Sequence, residues 1–377
     1  MELQVIDASE QFFQLRDEWN TLLESSGSNC VFLAHEWLST WWKHLGEGRR
    51  LSIFTVRDNG QLAGVLPLSE RPAQFTRMTP RVLEFLGSGV IGSDYLDVIA
   101  ERGRESEVVA AFAEHLNGRR LMLQLSQLRS GSCIASLLGD QLQRYGWPVA
   151  SVKQNICPYI DLRGHTWESY LSTVGANLRK NVNRYIRNVS KHFDMRLLRA
   201  QSKADAQIAL DAVIELHRKR WKEVGTSEAF QSDPVVAFHR EFVDLAAERG
   251  WLRILVLYLN GAPAAALYGL LYRQVFYFYQ SGFDPAYSRH SVGVATMAFS
   301  IQAAIEDGAD EYDFLHGDEE YKFHWTNSTR DLGRLEIYPP HATASIYRHA
   351  IRLNRAARRM ARRVLTYRNA ASPASGV

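Results

Sequence analysis

The sequence predicts an α/β protein of two tandem units, each a mixed, mostly antiparallel sheet flanked by helices. Asn59-Gly60 and Asn260-Gly261 both lie between apolar runs, and an Asn-Gly pair in that setting is the strongest short signal for a β-hairpin. Around each hairpin the predicted elements follow the same order: helices, the hairpin, a further strand, a helix and a closing strand. The 377 residues also exceed the usual size of one domain.

The first unit is predicted over residues 1–165. Apolar side chains at helical spacing predict its helices over residues 9–23, 34–45 and 105–116. Alternating or β-branched runs predict its strands over residues 3–6, 51–57, 61–68, 95–100, 121–125 and 159–162. Trp37, Trp41 and Trp42 could stack on a sugar or nucleobase, but aromatic residues at this spacing belong more often to a core. We expect these tryptophans in the core.

The second unit is predicted over residues 166–340. Its helices are expected over residues 177–191, 203–224 and 234–250, with a further helix that starts after Gly293 and ends at Gly308. Its strands are expected over residues 252–259, 262–272, 274–282 and 311–315. The last of these strands runs directly into a polar and aromatic cluster, and ligands of α/β sheets commonly sit at such strand ends.

Residues 341–377 are predicted to form a basic C-terminal helix and tail. From Tyr347 onward the chain has eight arginines and no lysine or acidic residue, so of 44 basic and 41 acidic residues, 36 basic and all 41 acidic ones precede it. Such a helix could pack on the second unit with a solvated face, contact an anionic membrane or acidic partner, or bind nucleic acid. No apolar run is long enough to span a membrane, so we expect a cytoplasmic protein that is at most membrane-peripheral.

The cysteines and histidines do not form the spacings of a disulfide framework or a metal site. Cys30, Cys133 and Cys157 are far apart in sequence, and no Cys-x-x-Cys pair occurs. Three histidines also lack metal-ligand spacing with other His or Cys residues, namely His35, His44 and His115. We therefore predict no metal.

The helix over residues 177–191 carries cations on one face without an acidic partner. They are Arg179, Lys180, Arg184, Arg187 and Lys191. One interpretation is a solvated helix face, and the other is a cationic rim for a phosphorylated or acidic ligand. On the second interpretation Arg179 and Arg184 are candidate substrate-binding residues, together with Tyr279 and Gln280 on the aromatic strand.

The start of the helix after Gly293 is a candidate anion site. Ser291 stands near its N-cap and small or apolar residues fill its first turn, which leaves backbone N–H groups available for a phosphate. Arg289 and His290 could add charge. The alternative is ordinary helix capping by Ser291.

These features resemble the GNAT superfamily of acyl-CoA-dependent N-acyltransferases. The segments Phe-Tyr-Gln-Ser-Gly-Phe-Asp-Pro at 278–285 and Tyr-Asp-Phe-Leu-His-Gly-Asp-Glu-Glu-Tyr-Lys at 312–322 look like its branch named after the cellulose-biosynthesis protein CelD. That branch shares a double-domain layout with the Fem-type peptidyltransferases. In GNAT enzymes the coenzyme A pyrophosphate lies on a Gln/Arg-x-x-Gly-x-Gly/Ala turn. The aligned residues here are His290, Ser291, Val292, Gly293, Val294 and Ala295, with His in place of Gln or Arg and Arg289 displaced by one position.

Acyl transfer to an amine needs a base for the ammonium proton, donors for the oxyanion and an acid for the leaving thiolate. The candidates cluster after the last predicted strand. Asp313, Asp318 and Glu319 are candidate bases, Tyr321 is the candidate acid, and His316 and Lys322 are candidate charge partners. The alternative is structural, because these carboxylates could form ion pairs with Lys322, Arg330 and Arg334 on a loop.

The resemblance implies an acyl-CoA-dependent N-acyltransferase, with acetyl-CoA as the first candidate cosubstrate. Its acceptor would be an amino group of a small molecule, a sugar or a cell-envelope or exopolysaccharide precursor. One alternative is a Fem-like aminoacyltransferase that uses aminoacyl-tRNA, with the cationic helix and the arginine tail holding RNA phosphates. Another is a non-catalytic binding subunit of envelope polysaccharide assembly.

Overall fold

The structure is a computed structural model that describes residues 1–72, 81–200, 202–224 and 229–341, with isolated positions between 344 and 353. The predicted basic C-terminal helix and tail fall almost entirely outside the described residues. Among the helices that the structure describes, none combines the length and the apolar character needed to span a bilayer.

The strands lie in the following order along the described chain. They are β1 (Glu2–Ile6), β2 (Arg50–Asp58), β3 (Gln61–Glu70), β4 (Arg81–Phe85), β5 (Ile99–Ala100), β6 (Leu121–Arg129), β7 (Val149–Asp161), β8 (Met195–Ala200), β9 (Leu252–Leu259), β10 (Ala262–Tyr272), β11 (Val275–Phe283), β12 (Glu311–Asp313) and β13 (Thr329–Ile337).

The helices surround this sheet. They are α1 (Ser9–Gln14), α2 (Arg16–Ser25), α3 (His35–Leu45), α4 (Glu105–Leu116), α5 (Ile134–Arg144), α6 (Trp167–Thr173), α7 (Ala176–His192), α8 (Lys203–Val224), α9 (Asp233–Glu248), α10 (Val292–Glu306) and α11 (Glu320–Phe323), with short 3₁₀ turns at Val31–Leu33 and Pro285–His290.

The strands of the described residues join into a single mixed sheet. Its order is β1-β2-β3-β4-β6-β13-β7-β12-β11-β10-β9-β8, and β5 pairs with β3 at the side. Among the described strands, only the β4–β6 and β11–β12 pairings are parallel. The prediction of an α/β protein with a mixed, mostly antiparallel sheet flanked by helices is confirmed.

Strand β13 connects the two halves of the chain, because it lies between β6 and β7 of the first half. Strand β7 in turn pairs with β13 along most of its length and with β12 at its end. The two predicted units therefore share one continuous sheet, and the boundary at residue 165 stays a prediction.

Several predicted elements match the structure closely. Both Asn-Gly hairpins form, as β2–β3 and β9–β10, and Asn59 and Asn260 adopt the positive φ that these turns require. Helix α4 has the predicted bounds. Trp37 and Trp41 are buried and Trp42 packs against the same core, so the core interpretation of these tryptophans is confirmed.

Other predicted elements differ from the structure. The helix over residues 9–23 is broken at Leu15 into α1 and α2. The strand over residues 95–100 is reduced to Ile99–Ala100, because Tyr95 has a φ of 59° and Asp97 binds backbone N–H groups of α5 instead of lying in a ladder. The strand over residues 159–162 is the end of the longer β7, which runs through Pro158. Strand β4 and helix α5 were not predicted.

Two irregularities in β11 open the sheet. Strand β11 pairs in parallel with β12 over only three residues, Val275–Tyr277 with Glu311–Asp313, and the strands continue beyond this pairing. On its other side, β11 shifts register against β10, so that Tyr279 is an extra, bulged residue between Phe278 and Gln280. A bulge bends its strand and leaves the extra residue outside the ladder, which creates room at this point of the sheet.

A glycine on β11 lets helix α8 lie directly on this opening. A β-carbon at Gly282 would collide with the backbone of Leu216 and His217, so any other residue there would push α8 away from the strand. The close approach brings the last turns of α8, with His217, Arg220 and Trp221, beside the end of β11.

Candidate active site

A cavity of about 330 Å³ lies where β11 and β12 separate, and we call it the central cavity. The ends of both strands, helices α8 and α9 and the loop 90–92 of the first half enclose it. It brings together six predicted site residues from two segments of the sequence, namely Tyr279 and Gln280 from the first and His316, Glu319, Tyr321 and Lys322 from the second.

A second cavity of about 190 Å³ adjoins the central cavity, and we call it the α10 cavity. Gly293 and Val294 of the predicted cofactor turn line it, together with strand residues of β10. Arg220, Ser281 and Tyr321 line both cavities. The first turn of α10 and the polar cluster after β12 therefore lie on two sides of one continuous crevice.

The central cavity contains a histidine held by a buried carboxylate from the other half of the chain. Asp94 is completely buried, and its Oδ1 and Oδ2 lie 2.8 and 3.0 Å from Nδ1 of His316. The backbone N–H of His316 also donates to Asp94 Oδ2 at 2.8 Å. Because Nδ1 is occupied by Asp94, Nε2 is the ring nitrogen left for a ligand.

Strained backbone flanks both members of this pair. Tyr95, directly after Asp94, has a φ of 59°, and Leu315, directly before His316, has a φ of 56°. Residues other than glycine pay of order 1–2 kcal/mol in this region, and such strain concentrates at functional sites.

Asp313 holds both strained residues in place. Its Oδ1 accepts from the Leu315 N–H at 2.8 Å, and its Oδ2 accepts from the Tyr95 hydroxyl at 2.7 Å and from Arg330 at 2.8 Å. Asp313 is fully buried, burial raises its pKa to about 6, and it lies outside both cavities described above. It acts on the Asp94–His316 pair through the backbone and is a positioning residue in this geometry.

The electrostatics single out His316 among the three histidines that line the central cavity. Burial lowers the pKa of His217 to about 4 and that of His239 to about 3, so both are neutral at physiological pH. The hydrogen bond and the charge of Asp94 instead raise the pKa of His316 above its ordinary value. Only His316 of these three can exchange a proton near neutral pH.

Lys322 fastens the loop that carries His316. Its Nζ is buried and donates to the carbonyl oxygens of His316 at 2.9 Å and Leu315 at 3.4 Å, and it pairs with Glu319 Oε2 at 2.9 Å. Burial pushes the pKa of Glu319 upward, but Lys322 outweighs burial and holds that pKa below its ordinary value. A carboxylate paired in this way is a weaker base than His316.

Tyr321 and Arg220 stand at the junction of the two cavities. Burial, followed by the charge of Glu319, raises the pKa of the Tyr321 phenol, which therefore keeps its proton. Arg220 packs over the rings of Phe283 at 5.2 Å and Trp221 at 5.7 Å. Within the described residues no carboxylate pairs with Arg220, so its charge is available to a ligand at the junction.

The cofactor turn has a left-handed start. Ser291 has a φ of 54° and its side chain makes no capping bond to the helix, while a side-chain hydrogen bond from Ser291 lowers the pKa of Tyr185 on α7. Val292 and Ala295 are buried, whereas Gly293 is exposed at the helix start. Capping by the Ser291 side chain is therefore absent from the described helix.

The two charged or polar neighbours of this turn, Arg289 and His290, contact other parts of the structure. Arg289 is exposed and its Nε donates to His290 Nε2 at 3.2 Å. His290 packs against Phe193 at 4.9 Å, and burial, Arg289 and His192 lower its pKa. Neither residue lines the α10 cavity.

Three other predicted site residues lie on the surface. Asp318 is exposed and lines neither cavity. Arg179 and Arg184 are exposed on α7, where Arg184 packs over its neighbour Tyr185 at 5.0 Å. Within the described residues no carboxylate pairs with either arginine.

Five residues of the candidate site were not predicted from the sequence, and they come from the first half of the chain and from α8 and α9. They are Asp94, His217, Arg220, Trp221 and His239. The dense run of cations and aromatics at 217–222 was a usable signal for three of them, but nothing in the sequence links Asp94 to His316. In the part of the chain that the structure describes, no group of three or more His, Cys, Asp or Glu side chains has the arrangement of a metal site.

A family model described as an acetyltransferase (GNAT) domain matches residues 176–323, which is less than half of the chain. This segment begins with α7 and ends with α11, so it contains the α10 turn, β11, β12 and the polar cluster. No curated protein sequence is significantly similar to the chain.

Solved structures share the fold over nearly the whole length. A crystal structure of FemX has a TM-score of 0.62 at 10% identity, with 92% of this chain and 99% of that chain covered. A conserved protein of unknown function from Bacteroides thetaiotaomicron VPI-5482 has a TM-score of 0.56 at 12% identity, with 89% and 100% covered. A C-terminal domain from Agrobacterium fabrum, described as that of a lysylphosphatidylglycerol synthetase, has a TM-score of 0.54 at 8% identity, with 91% and 96% covered.

The similarities to solved structures concern the fold alone. The family match covers the segment whose strands and helices form much of the walls of both cavities. The segment is the one in which the sequence resembles GNAT enzymes. Residues 176–323 therefore match a GNAT acetyltransferase domain, and the prediction of an enzyme of the N-acyltransferase type is confirmed.

Proposed function

We propose that the chain transfers an acyl group from an acyl-CoA, with acetyl-CoA as the first candidate, to an amine bound in the central cavity. The observation that carries the proposal is the junction at Tyr321 and Arg220. There a cavity at the first turn of α10 meets a cavity that contains a histidine–carboxylate pair. The acceptor would be an amino group of a small molecule, a sugar or an envelope or exopolysaccharide precursor, as the CelD-like resemblance implies.

The α10 cavity suits the cosubstrate. A helix start offers unpaired N–H groups and a positive dipole end to phosphate oxygens, and Gly293 lets a ligand approach that backbone closely. The apolar walls of the cavity, including Leu267, Phe283 and Met297, suit the pantetheine arm. A thioester that follows this cavity ends at Tyr321.

The central cavity suits the chemistry. His316 Nε2 would accept the proton of the acceptor ammonium, and the free amine would then attack the thioester carbonyl to form the C–N bond. The bulged backbone at Tyr279 and the charge of Arg220 would stabilise the oxyanion. When the C–S bond breaks, Tyr321 would donate its proton to the thiolate, and the attacking nitrogen would release its second proton to solvent, from which Tyr321 regains one. Asp94 would hold the imidazole and stabilise its protonated form.

Gly293→Asp tests the cosubstrate assignment. Gly293 has room for a side chain, since a β-carbon there meets only Phe283 at 3.5 Å, and a carboxylate in the first turn stabilises a helix. The same carboxylate would repel the phosphates of coenzyme A. We expect calorimetry to show acetyl-CoA binding weakened about tenfold or more, which corresponds to ~1.4 kcal/mol, while thermal stability is kept.

Gly293→Asn is the matched neutral control and is expected to weaken binding less than Gly293→Asp. Equal affinities of the wild type and both variants would place the phosphates elsewhere. Absence of any acetyl-CoA binding by the wild-type chain would contradict the proposal, and binding without turnover across a panel of amines would favour a non-catalytic subunit.

A second candidate is aminoacyl transfer from aminoacyl-tRNA, and the exposed cations of α7 favour it. Arg179, Lys180, Arg184, Arg187 and Lys191 are all exposed, and none pairs with a carboxylate among the described residues. We expect such a face to retain tRNA with an affinity that falls steeply with salt. The logarithm of the association constant should fall by roughly 0.9 for each tenfold rise in salt concentration and each phosphate contact. Filter binding of tRNA between 50 and 200 mM salt checks this, and affinity that does not change with salt would exclude it.

A further inference from the structure

A third cavity lies in the first half of the chain, and we call it the polar cleft. It has a volume of about 480 Å³, within the range of small-molecule sites. Every residue that lines it is charged, polar or glycine, in contrast to the apolar walls of the α10 cavity. The lining consists of Arg49, Arg71, Glu84, Ser88, Gly89, Ser93, Gln124, Ser126, Gln127, Gln154, Asn155 and Arg334.

The polar cleft has an excess of positive charge. Glu84 is nearly buried and is shared by two arginines, since Arg49 donates to its Oε2 at 3.2 Å and Arg71 donates to its Oε1. Arg334 pairs with buried Glu336 at 3.0 Å. Among the described residues, three guanidinium groups and the Glu84 carboxylate line the cleft, and even with Glu336 included the cations exceed the carboxylates by one. The cleft therefore favours an anion.

The cleft also has unused hydrogen-bonding capacity. Ser88 Oγ is buried and has no hydrogen-bond partner among the described residues. Among the described residues, the side-chain hydrogen bonds of Arg49 all involve Nη1, so Nε and Nη2 are left for a ligand. Gln124, Gln154 and Asn155 add amide donors and acceptors. A ligand with several hydroxyl groups and a phosphate satisfies such a set better than an apolar or cationic one.

One loop separates the polar cleft from the central cavity. Ser88, Gly89 and Ser93 line the cleft, whereas Val90, Ile91 and Gly92 between them line the central cavity.

Gln127 links the cleft directly to the histidine–carboxylate pair. It lines the cleft, and its Nε2 donates to Asp94 Oδ1 at 2.8 Å. Gln127 has a φ of 61°, and its N–H donates to Gln154 Oε1 at 3.1 Å. The Gln127 side chain therefore lines the cleft and also binds the carboxylate that holds His316. The backbone of Gln127 itself is strained.

We infer that the polar cleft binds the phosphorylated sugar portion of the acceptor, while the amine of that acceptor reaches His316 in the central cavity. This inference rests on the proposed acyl transfer for the role of the amine. The binding itself needs only the cleft.

Calorimetry without acyl-CoA tests the binding, with glucosamine 6-phosphate, UDP-glucosamine and unphosphorylated glucosamine as probes. We expect both phosphorylated probes to bind at least about tenfold more tightly than glucosamine. Tighter binding of UDP-glucosamine would identify a nucleotide-linked acceptor, and tighter binding of glucosamine 6-phosphate a free sugar phosphate; both support the inference.

Arg49→Gln and Asn155→Asp locate the probe. Each is expected to weaken binding of the phosphorylated probes about tenfold, the first by removing a cation and the second by adding a negative charge at an exposed lining position. Arg50→Gln is the matched control, because Arg50 neighbours Arg49, pairs with Glu70 and does not line the cleft. Asn155→Asp breaks no hydrogen bond of the described residues and so keeps the test valid if Arg49→Gln impairs folding.

Coenzyme A as a competitor separates this inference from the proposed function. We expect coenzyme A to leave the binding of the phosphorylated probes unchanged. If coenzyme A displaced these probes, their phosphate would bind at α10 and the inference would be overturned. Equal binding of glucosamine and its phosphate, or the same affinity in Asn155→Asp as in the wild type, would also overturn it. Cleft binding without any acyl-CoA binding would contradict only the proposed function.

Discussion

His316→Gln is expected to lower kcat of the acyl transfer by about 10²- to 10⁴-fold, the usual contribution of a general base. Glutamine keeps an amide group near Asp94 but cannot take a proton, so acyl-CoA affinity should change little. Turnover can be followed through release of the coenzyme A thiol, and affinity by calorimetry. The matched control is Asp318→Asn, an exposed change two residues along that we expect to leave turnover within about twofold.

The pH dependence distinguishes a base from a merely structural histidine. His316 must be neutral to accept a proton, and Asp94 raises its pKa, so the rate should rise with pH through that raised value. Asp94→Asn removes the charge, lowers the pKa of His316 and should move the acidic limb of the profile to lower pH. A profile in Asp94→Asn identical to that of the wild type, or wild-type kcat in His316→Gln, would exclude His316 as the base.

Tyr321→Phe is expected to lower kcat by about 10²-fold or more by removing the proton donor at the junction of the two cavities. The phenyl ring keeps the packing of the phenol, and within the described residues no hydrogen bond of the Tyr321 hydroxyl would be broken. Folding should therefore be unaffected. Thiol release from acetyl-CoA measures the effect.

The leaving group supplies the control for Tyr321. An acyl donor whose leaving thiol is more acidic needs less help from an acid, so the deficit of Tyr321→Phe should shrink with such a donor. A deficit that is the same for both donors would contradict the assignment of Tyr321 as the acid. A deficit accompanied by weaker acetyl-CoA binding would instead indicate a role in binding.

Much of the fold could be predicted from the sequence, because its signals are local. The Asn-Gly turns fix both hairpins, and helical spacing fixes α4, α7 and α8. The prediction of a strand over residues 95–100 was wrong because tertiary contacts override the local composition. Asp97 caps α5 and Tyr95 binds Asp313. Strand β13 between β6 and β7 could not be predicted, since its pairing partners lie far away in the chain.

The same distinction applies to the candidate site. We predicted residues 313–322 as one site because they are contiguous in sequence. Successive side chains of a strand, however, point to opposite faces of the sheet. Phe314 therefore lines the central cavity, whereas Asp313 faces Tyr95 and Arg330 on the other side of the sheet. The partner of His316 is 222 residues away at Asp94, and only the shared sheet brings the two together. No periodicity or motif carries that information.

In the proposed reaction acyl-CoA and acceptor meet at Tyr321, and a crystal structure of the chain with coenzyme A tests this arrangement. We expect the phosphates to lie against the first turn of α10 at Gly293 and Val294, and the sulfur to lie within hydrogen-bonding reach of the Tyr321 hydroxyl at the junction of the two cavities. Coenzyme A bound elsewhere, or bound at α10 with its sulfur directed away from Tyr321 and His316, would contradict it.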